Sequence, residues 1–556
     1  MRRSLLPWLL LGGVLLWNVP EIRAESDFEV DAETTETTPG MTQAEPDRSL
    51  PSDLRPGAQI VTDGRPLSIA EAVALSIRNN LDVEVERYAP LIAEADRDGA
   101  WGAYDPTLSV DGYYDLQKSP VVFLSTLSPV EVDRRQSQGG GIGVEQLLPY
   151  IGASLGVRFE SAETSTRSTF SKFDPQYDSS IFLTANVPLL RGLIWNESWT
   201  NVKVSEFSAR SFNEGFRAAL MDNVQTTVDS YWNLVAARDQ VRVAQKSLET
   251  SRALLSQTET QYEVGVVSRV EVVEAEAGVA NREFDVIRDA NSFRNAQDQL
   301  IDAVLGRELS ALTTLQFVPT EDPESYDLRR VDVQRAVQQA FRNRPELERV
   351  GYEIQQAEID LKFAKNQRLP QLDADIRFGY VGVTGDGNSA LLLPPPDSSY
   401  GDSSEDFFSR DGNENLRVQG TFSIPFPNTT ARKRVVRSRL ELRRSKTRKI
   451  RLEQTIILEV RRAARLLVAS GHGIDAAERR RLAAQEQLRA EKIRLEHGES
   501  TPFEVLQRES DLVEAESQKI GALRTYRSAE IGLERAQGTI LDFHGVVVED
   551  ARKFRR

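Results

Sequence analysis

The sequence has no cysteine and only three histidines among its 556 residues. Without cysteine the chain has no disulfide, no thiolate nucleophile and no cysteine ligand for zinc or an iron–sulfur cluster. The histidines, His472, His497 and His544, leave little material for a histidine metal site or for histidine-based catalysis. We therefore expect no metal site, no cofactor and no enzymatic activity, and the composition favours structure or transport over metabolism.

Long apolar runs are also missing. After the N-terminus no stretch approaches the ~20 apolar residues that a membrane-spanning helix needs, and charged residues make up 28% of the chain. A polytopic helical membrane protein is therefore excluded. If the chain enters a membrane, it does so as strands closed into a barrel, because lipid offers no partners to unpaired backbone groups. The net charge of −15 argues against a nucleic-acid coat, since duplex binding needs a basic face.

The N-terminus has the pattern of an export signal at residues 1–24. Two arginines follow the initiating methionine, a short apolar core covers residues 5–17, and residues 22–24 fit a cleavage site. The alternative is an uncleaved N-terminal anchor. Residues 25–64 are rich in Glu, Asp, Thr and Pro and poor in large apolar groups, so we expect a flexible acidic tail there.

Residues 264 positions apart match in many places, which indicates an internal duplication. The matched pairs include Ala72-Val73 with Ala336-Val337, Arg78-Asn79 with Arg342-Asn343, Ala93-Glu94 with Ala357-Glu358, and Asp111 with Asp375. Further on the separation is 233, so the first copy carries 31 extra residues. We therefore expect a first repeat at 65–306, a connector at 307–330, a second repeat at 331–541 and a C-terminal tail at 542–556.

Each repeat is predicted to contain a helix, strands, a very long helix and another helix. The first helix is expected at 67–100 and at 331–366, where apolar residues recur at helical spacing. Alternating apolar and polar residues then predict outgoing and returning strands, with apolar positions at Leu108, Val110, Gly112 and Tyr114, at Ile181, Leu183, Ala185 and Val187, at Leu372, Ala374, Ile376, Phe378 and Tyr380, and at Val418, Gly420, Phe422 and Ile424. Strands of about ten residues joined by long polar loops are typical of an outer-membrane barrel, whose apolar side faces lipid.

The extra residues of the first copy contain a further pair of candidate strands, at 141–146 and 153–159. If they form a membrane hairpin, each chain has six strands, and if they form a surface loop, each has four. Neither number reaches the ~8 strands that close even a small barrel. One chain therefore cannot span a membrane alone, and we expect a cyclic oligomer.

The long helices have the clearest periodicity. Leu234, Val241, Leu248, Leu255 and Tyr262 stand one heptad apart, and Leu467, Ile474, Leu488 and Leu495 repeat the pattern in the second copy. Apolar heptads combined with small residues predict closely packed coiled-coil helices. We expect long helices at 198–264 and 430–496, and a second helix after each, at 269–305 and 502–541, with turns at Gly265 and Gly498.

The export signal, the duplication, the prolines Pro188 and Pro425 after the returning strands, and the turn sequences at 262–272 and 495–506 resemble the TolC family of outer-membrane efflux proteins. The resemblance covers about 67–541. It implies a homotrimer of α+β chains that share one β-barrel in the outer membrane and build a coiled-coil tunnel through the periplasm. It also implies a passive exit duct of a tripartite efflux or type I secretion system, with a periplasmic adaptor and an inner-membrane pump or ABC transporter as partners. The alternative is a periplasmic coiled-coil scaffold that never enters a membrane.

In this family the turns lie at the periplasmic end, where the tunnel narrows and acidic side chains line the opening. The matching positions here are Glu271 and Glu504, and Arg269, Gln507 and Arg508 are close enough in sequence to contact them. Three copies of Glu504 around a narrow pore would repel one another and attract cations, which favours cation passage and block by multivalent cations. The alternative is that both glutamates are first-turn residues that stabilise a helix N-terminus.

Three further motifs have weaker functional interpretations. Ser470-Gly471-His472-Gly473 lies inside a predicted long helix without a partner nucleophile, so a helix irregularity is favoured over catalysis. Residues 139–143 lack the Lys-Ser/Thr of a phosphate loop and are expected to form a strand-entry loop. Residues 432–451 hold eleven Lys or Arg, one acid and no aromatic side chain, which argues against nucleic-acid binding. Their expected role is either contact with anionic lipid head groups or a solvated helix face.

Overall fold

The structure, a computed structural model, describes residues 64–120, 132–166, 172–310, 315–387, 398–408 and 413–547. All of them belong to one compact unit, Ser52–Arg556. The predicted export signal at 1–24 and the predicted acidic tail up to residue 63 lie outside the described residues. In the described part of the chain, no helix combines the length and the apolar character needed to cross a membrane.

The described chain contains both α-helices and β-strands. The helices are α1 (Ile69–Asn79), α2 (Leu81–Ala100), α3 (Glu197–Glu263), α4 (Arg269–Leu305), α5 (Val333–Asn343), α6 (Pro345–Asn366), α7 (Tyr400–Glu405), α8 (Thr429–Glu496), α9 (Pro502–Gln537) and α10 (Ile540–Phe543). The strands are β1 (Arg65–Leu67), β2 (Thr107–Pro120), β3 (Val132–Leu147), β4 (Ser154–Thr166), β5 (Phe173–Pro188), β6 (Phe317–Pro319), β7 (Gln371–Gly387) and β8 (Glu414–Ser423). The short strands β1 and β6 pair in parallel, and the other six form one sheet.

The first helix predicted in each repeat is split into two, at Asn80 in the first and at Arg344 in the second. The Asn80 side chain accepts hydrogen bonds from the backbone N–H groups of Asp82 (2.9 Å) and Val83 (3.2 Å), so it caps α2 and ends α1. Arg344 precedes Pro345, which disfavours a helical backbone at the residue before it. The two splits are 264 positions apart, so the same local design occurs twice with different residues.

Each repeat closes with a glycine that touches the split between its first two helices. Gly306 and Gly538 have φ values of +48° and +77°, where a side chain is strained. A Cβ on Gly306 would lie 1.8 Å from the Asn79 carbonyl oxygen, and one on Gly538 would lie 2.9 Å from the Asn343 carbonyl carbon. Gly538 also ends α9 four residues before the end predicted at 541.

The long helices α3 and α8 contain 67 and 68 residues and begin and end within one residue of their predicted bounds. At 1.5 Å per residue each is about 100 Å long. The heptad residues of α8 are buried, as are the first three of α3. The predicted series of α3 is wrong at its end, because Tyr262 is 43% exposed and Leu254, outside the series, is buried. Leu254 packs with Leu488 and Val505, so α3 buries a second face here, against the other helical hairpin.

Near the sheet the long helices form a layer in which α2 packs on α3, α3 on α6 and α6 on α8. The layer follows the strands, since α2 leads into β2, β5 into α3, α6 into β7 and β8 into α8. Toward the hairpin turns the contacts change to α4 on α3, α3 on α9 and α9 on α8. The largest apolar core lies between these two regions, around Tyr231, Leu234 and Leu300.

The six-stranded sheet is antiparallel and has the order β2-β3-β4-β5-β7-β8. The strand pair left open by the sequence is therefore present, as β3 and β4, and the described residues contribute six strands to this sheet rather than four. The interpretation of residues 139–143 as a strand-entry loop is wrong, because they lie inside β3. Their glycines allow close strand approach, since a Cβ on Gly139 would lie 2.6 Å from the Ser161 carbonyl oxygen.

Candidate functional site at the helical hairpin turns

Two turns of the same geometry join the long helices to their partners. Residues 264–268 connect α3 to α4, and residues 497–501 connect α8 to α9. Gly265 and Gly498 lie in these turns with φ values of +79° and +75°, which glycine adopts without strain. After each glycine the next backbone N–H reaches back five residues, from Val266 to Gln261 (2.8 Å) and from Glu499 to Arg494 (2.9 Å). These bonds satisfy carbonyls that a helix end leaves unpaired.

Glu271 is held by the start of its own helix. The Ser268 backbone N–H donates to the Glu271 carboxylate (2.7 Å), and the Ser268 side chain completes a capping box. Arg269 does not contact Glu271, and its guanidinium pairs instead with Glu276 at 3.6 Å. The geometry at Glu271 is therefore that of a first-turn cap.

Glu504 occupies the equivalent position on α9 but keeps its carboxylate exposed. Thr501 is the helix cap, and its hydroxyl accepts the Glu504 backbone N–H at 3.4 Å. Within the described part of the chain, no hydrogen bond or ion pair holds the Glu504 carboxylate. Gln507 is exposed as well, and Arg508 pairs with Asp511 at 3.0 Å. The five predicted site residues thus lie at the two turns, but the ion pairs of Arg269 and Arg508 are with other acids.

The two hairpins pack side by side close to the turns. A Cβ added to Gly278 of α4 would lie 3.0 Å from Leu506 of α9, so this small residue allows the helices to approach. Val505 of α9 is 1% exposed and packs with Leu254 of α3. Glu271 and Glu504 are therefore carried to the same end of the helical bundle on adjacent hairpins.

The seam between α3 and α9 was not predicted from the sequence, and it is polar along most of its length. Six hydrogen bonds or ion pairs join the two helices: Asp222–Arg535 (2.6 Å), Asp229–Ser528 (2.6 Å), Asn233–Arg524 (2.8 Å), Gln240–Ser517 (2.7 Å), Ser247–Glu509 (3.4 Å) and Ser251–Glu509 (3.3 Å). On α3 the partners are spaced by seven or four residues, which is the spacing of one helix face. That spacing was the available signal, although it does not reveal which helix lies opposite.

The seams inside each hairpin are apolar by contrast. Ala244 and Leu248 of α3 pack on Val286 of α4, and Leu467 and Ile474 of α8 pack in a cluster with Leu523 and other residues of α9. Burying an apolar side chain stabilises a contact by about 1.5–3 kcal/mol, whereas an exchangeable hydrogen bond contributes about 0.5–1.5 kcal/mol. The α3–α9 seam is thus joined by hydrogen bonds and ion pairs along most of its length, with an apolar contact between Leu254 and Val505 near the turns.

Glu509 is the buried acid of this seam and is 3% exposed. Burial raises the pKa of its carboxyl, against the lowering influence of the Arg282 and Lys492 charges and of the hydrogen bonds from Ser251 and Ser247. Glu509 lies on α9, five positions after Glu504, at the contact between the α3–α4 hairpin and the α8–α9 hairpin. It is a titratable group placed where the hairpins meet.

The other motifs have structural roles in the described residues. Ser470 lies within α8, where its hydroxyl donates to the Leu467 carbonyl oxygen at 3.0 Å. Gly471 faces Tyr526 of α9, so a Cβ there would lie 3.6 Å from its ring. No group of three or more acidic or histidine side chains suited to a metal ion occurs among the described residues.

The described chain thus combines two long helical hairpins with one antiparallel sheet. This combination also occurs in known proteins. The sequence profile described as outer membrane efflux protein matches residues 130–306 and 336–539, more than half of the chain. The chain belongs to the outer membrane efflux protein family. Outer membrane protein TolC of Vibrio cholerae is 22% identical over 245 residues, which are 43% of this chain and 51% of the relative. The chain thus spans about half the length of this curated relative.

Solved structures share the fold. The outer-membrane channel OprN is 15% identical with a TM-score of 0.60, over 85% of this chain and 90% of that chain. The Campylobacter jejuni CmeC outer membrane channel is 14% identical with a TM-score of 0.60, over 93% of this chain and 96% of that chain. The outer membrane protein VceC from Vibrio cholerae is 12% identical with a TM-score of 0.59, over 84% and 96%. At these identities the likeness concerns the fold.

Proposed function

We propose that the protein is a passive exit duct from the periplasm to the exterior, with its sheet in the outer membrane and its long helices in the periplasm. The observation that carries this proposal is the two-faced sheet joined directly to helices about 100 Å long. One face presents Leu183 and Phe378, 51% and 40% exposed, and the other presents Thr184 and Arg377. A sheet that is apolar on one side and polar on the other suits lipid outside and water inside.

The active form is a homotrimer. Among the described residues of one chain, the sheet leaves β2 and β8 with an unpaired edge, and six strands are fewer than the ~8 that close a barrel. In a ring, β8 of one copy pairs with β2 of the next, and α8 then lies beside the neighbouring α2. Family membership supports three copies.

The exposed faces of α2 and α8 complement each other. α2 presents an apolar stripe of Leu81, Val85, Tyr88 and Ile92, each 48–66% exposed, and α8 presents one of Val436, Leu440 and Ile450, each 46–57% exposed. α2 carries six acids and two arginines, whereas residues 432–451 of α8 carry eleven basic residues and one acid. Apolar stripes flanked by opposite charge favour association and fix its orientation. This is the role we assign to the basic run, in place of lipid contact or a solvated face.

The periplasmic partners are an adaptor protein and an inner-membrane pump or ABC transporter. The α3–α4 turn supports a docking role, because Val264, Val266 and Val270 are 66–71% exposed at its tip. Exposed clusters of large apolar residues mark interaction sites. Glu504, exposed beside the second turn, is the acidic position of the gate, and the polar α3–α9 seam is the contact that yields when the gate opens.

The experiment is to express the chain with its N-terminus intact and fractionate the cells. We expect extraction from the outer membrane only with detergent, a crosslinked species of three chains, and discrete conductance steps in planar bilayers. A periplasmic scaffold would be extracted without detergent and would give no conductance. That result would overturn the proposal.

A further inference from the structure

We propose that the β3–β4 hairpin is a full segment of the barrel wall, so that the trimeric duct contains 18 strands. Two equal repeats with one strand pair each would give a four-stranded chain and a twelve-stranded barrel. Here the first repeat contributes two strand pairs, β2–β3 and β4–β5. The inference rests on the proposed trimeric duct.

An apolar row runs across all six strands at one level. Its members are neighbours in register from edge to edge: Leu108, Val144, Val157, Leu183, Phe378 and Leu416. All six side chains are between 40% and 66% exposed. The hairpin residues Val144 and Val157 therefore continue the exposed apolar surface of the other four strands without interruption. A surface loop or a plug inside the pore has no need for this alignment.

The opposite face of the hairpin is polar at the matching level. Arg158 of β4 bonds to Asp111 of β2 at 2.6 Å, across β3. Glu145, Thr184, Arg377 and other residues continue this polar face across the neighbouring strands. Strands with one lipid face and one water face have this alternation.

The two strands of the hairpin are long enough to span a membrane. β3 and β4 contain 16 and 13 residues, and a spanning strand needs about 9–11. On β4 the apolar side chains of this face extend from Leu155 to Phe159, which is about 13 Å along the strand, and Ser161 follows them. From Ser161 to Glu163 the face is polar, since Ser161 bonds to Ser179 (2.8 Å), and Gln138 (2.9 Å) and Tyr400 (3.0 Å) donate to the Glu163 carboxylate.

At its other end the hairpin is docked on the helices. The Tyr150 ring in the β3–β4 turn lies 4.4 Å from the Trp199 ring at the start of α3, and Trp101 lies 6.0 Å from Trp199. The Gln146 side chain donates to the Tyr104 carbonyl oxygen at 3.2 Å. Aromatic side chains of this kind gather at membrane–water boundaries. The hairpin is thus fixed at the same boundary as the strands that lead into helices.

Ring closure with six strands per chain keeps every pairing antiparallel. β2 and β8 run in opposite directions because five antiparallel pairings separate them, so β8 of one copy meets β2 of the next correctly. The diameter of a barrel grows roughly linearly with strand number, so 18 strands give a barrel ~1.5 times as wide as twelve, in the size class of an aqueous porin channel. The lumen therefore suits a cargo bulkier than a twelve-stranded barrel would pass.

Fluorescent labels on single cysteines test the position of the hairpin, and the native chain contributes no cysteine to interfere. In trimers reconstituted in lipid, a label at Val157 on β4 is compared with one at Leu183 in the same row and one at Arg158 on the opposite face. We expect lipid-linked nitroxide to quench Val157 and Leu183 equally, and aqueous iodide to quench Arg158. Quenching of Leu183 but not of Val157 by the lipid probe would overturn the inference. If neither position meets lipid, the proposed duct itself fails.

Strand number is tested by deleting residues 132–166, which joins β2 to β5 through the loop at their shared end. We expect barrels of the deletion variant in nanodiscs to have about two-thirds of the wild-type diameter in electron-microscopy averages. Equal diameters would overturn the inference. If the deletion variant does not assemble, the averages of the wild-type protein alone decide between 18 and 12 strands.

Discussion

The Ser251 hydroxyl on α3 donates to the Glu509 carboxylate on α9 across 3.3 Å, in a seam where Glu509 is 3% exposed. This contact joins a helix of the first repeat to a helix of the second. Few acids in the described helices are so completely enclosed. The Ser251–Glu509 hydrogen bond therefore links the protonation of Glu509 to the contact between the two hairpins.

We expect this seam to be stronger in acid. Burial raises the pKa of Glu509, so between the usual value for glutamate and the raised value the folded chain binds more protons than the unfolded one. The contribution of Glu509 to the free energy of unfolding is therefore most favourable below this pH window and is lost as pH rises through it. Glu509→Gln removes this pH dependence of the seam. The measurement is the frequency of channel opening as a function of pH.

The control for this experiment is Glu486→Gln, which alters a pair that is 71–73% exposed on α8. It leaves the pH profile as in the wild type. If the Glu509→Gln profile also matches the wild type, the seam does not sense this proton.

The two turn glutamates are expected to differ in function. Glu504→Gln weakens cation preference and the block by multivalent cations, because the Glu504 carboxylate is exposed and forms no hydrogen bond or ion pair with another described residue. Glu271→Ala instead lowers helix stability by up to about 1 kcal/mol, through loss of the capping box with Ser268. Single-channel recordings compare the cation preference and the block of both variants and of Arg269→Ala. Unchanged selectivity in Glu504→Gln would make Glu504 a cap as well.

Assembly is expected to depend on the stripes of α2 and α8. Val85→Glu adds an acid to the stripe of the acidic helix, and Leu440→Glu places one in the stripe of α8, so each removes apolar contact between copies. Both are predicted to reduce the crosslinked three-chain species. Val270→Glu, equally exposed but at the hairpin tip, is the matched control and leaves the assembly intact. A loss of trimer in all three variants would argue for general misfolding instead.

Stability in acid is expected to depend on Glu346. Burial by itself would raise the pKa of this carboxyl, but the hydrogen bond from Arg344 and the charge of Arg535 lower it to about 2. The contribution of Glu346 to the free energy of unfolding is thus complete above the usual glutamate pKa of 4.5 and is lost as pH falls from there toward 2. Glu346→Gln should cost roughly 2–3 kcal/mol at neutral pH, because two largely buried arginines lose a shared partner. Thermal unfolding measures this against Glu441→Gln, an exposed helix pair expected to change stability by less than about 0.5 kcal/mol.

The long helices and their turns were predictable because their signals are local. Helical spacing predicted the first and last residues of α3 and α8 to within one residue. Gly265 and Gly498 follow the helix ends, where only glycine fits the left-handed backbone without strain. The break at Asn80 was missed, although asparagine is a strong helix cap, because the apolar spacing continues through it.

The α3–α9 seam was not predictable for a different reason. Ser247 and Ser251 are ordinary residues of a helix face, and their meaning depends on Glu509, more than 250 positions away. A spacing pattern identifies a face of one helix but not the helix that covers it. Strand number was similarly open, since the candidate strands of the extra hairpin at 141–146 and 153–159 cover less than half of β3 and less than half of β4.

The β3–β4 hairpin enters and leaves the sheet on the side away from the helices. No helix has to be added, removed or rerouted to accommodate it, and the four helix–strand junctions of the chain stay as they are. In the proposed duct, copying or losing one such hairpin during evolution would therefore change the width of the barrel and leave the helical hairpins as they are. The width of the barrel and the docking surface at the hairpin turns can thus be inherited separately.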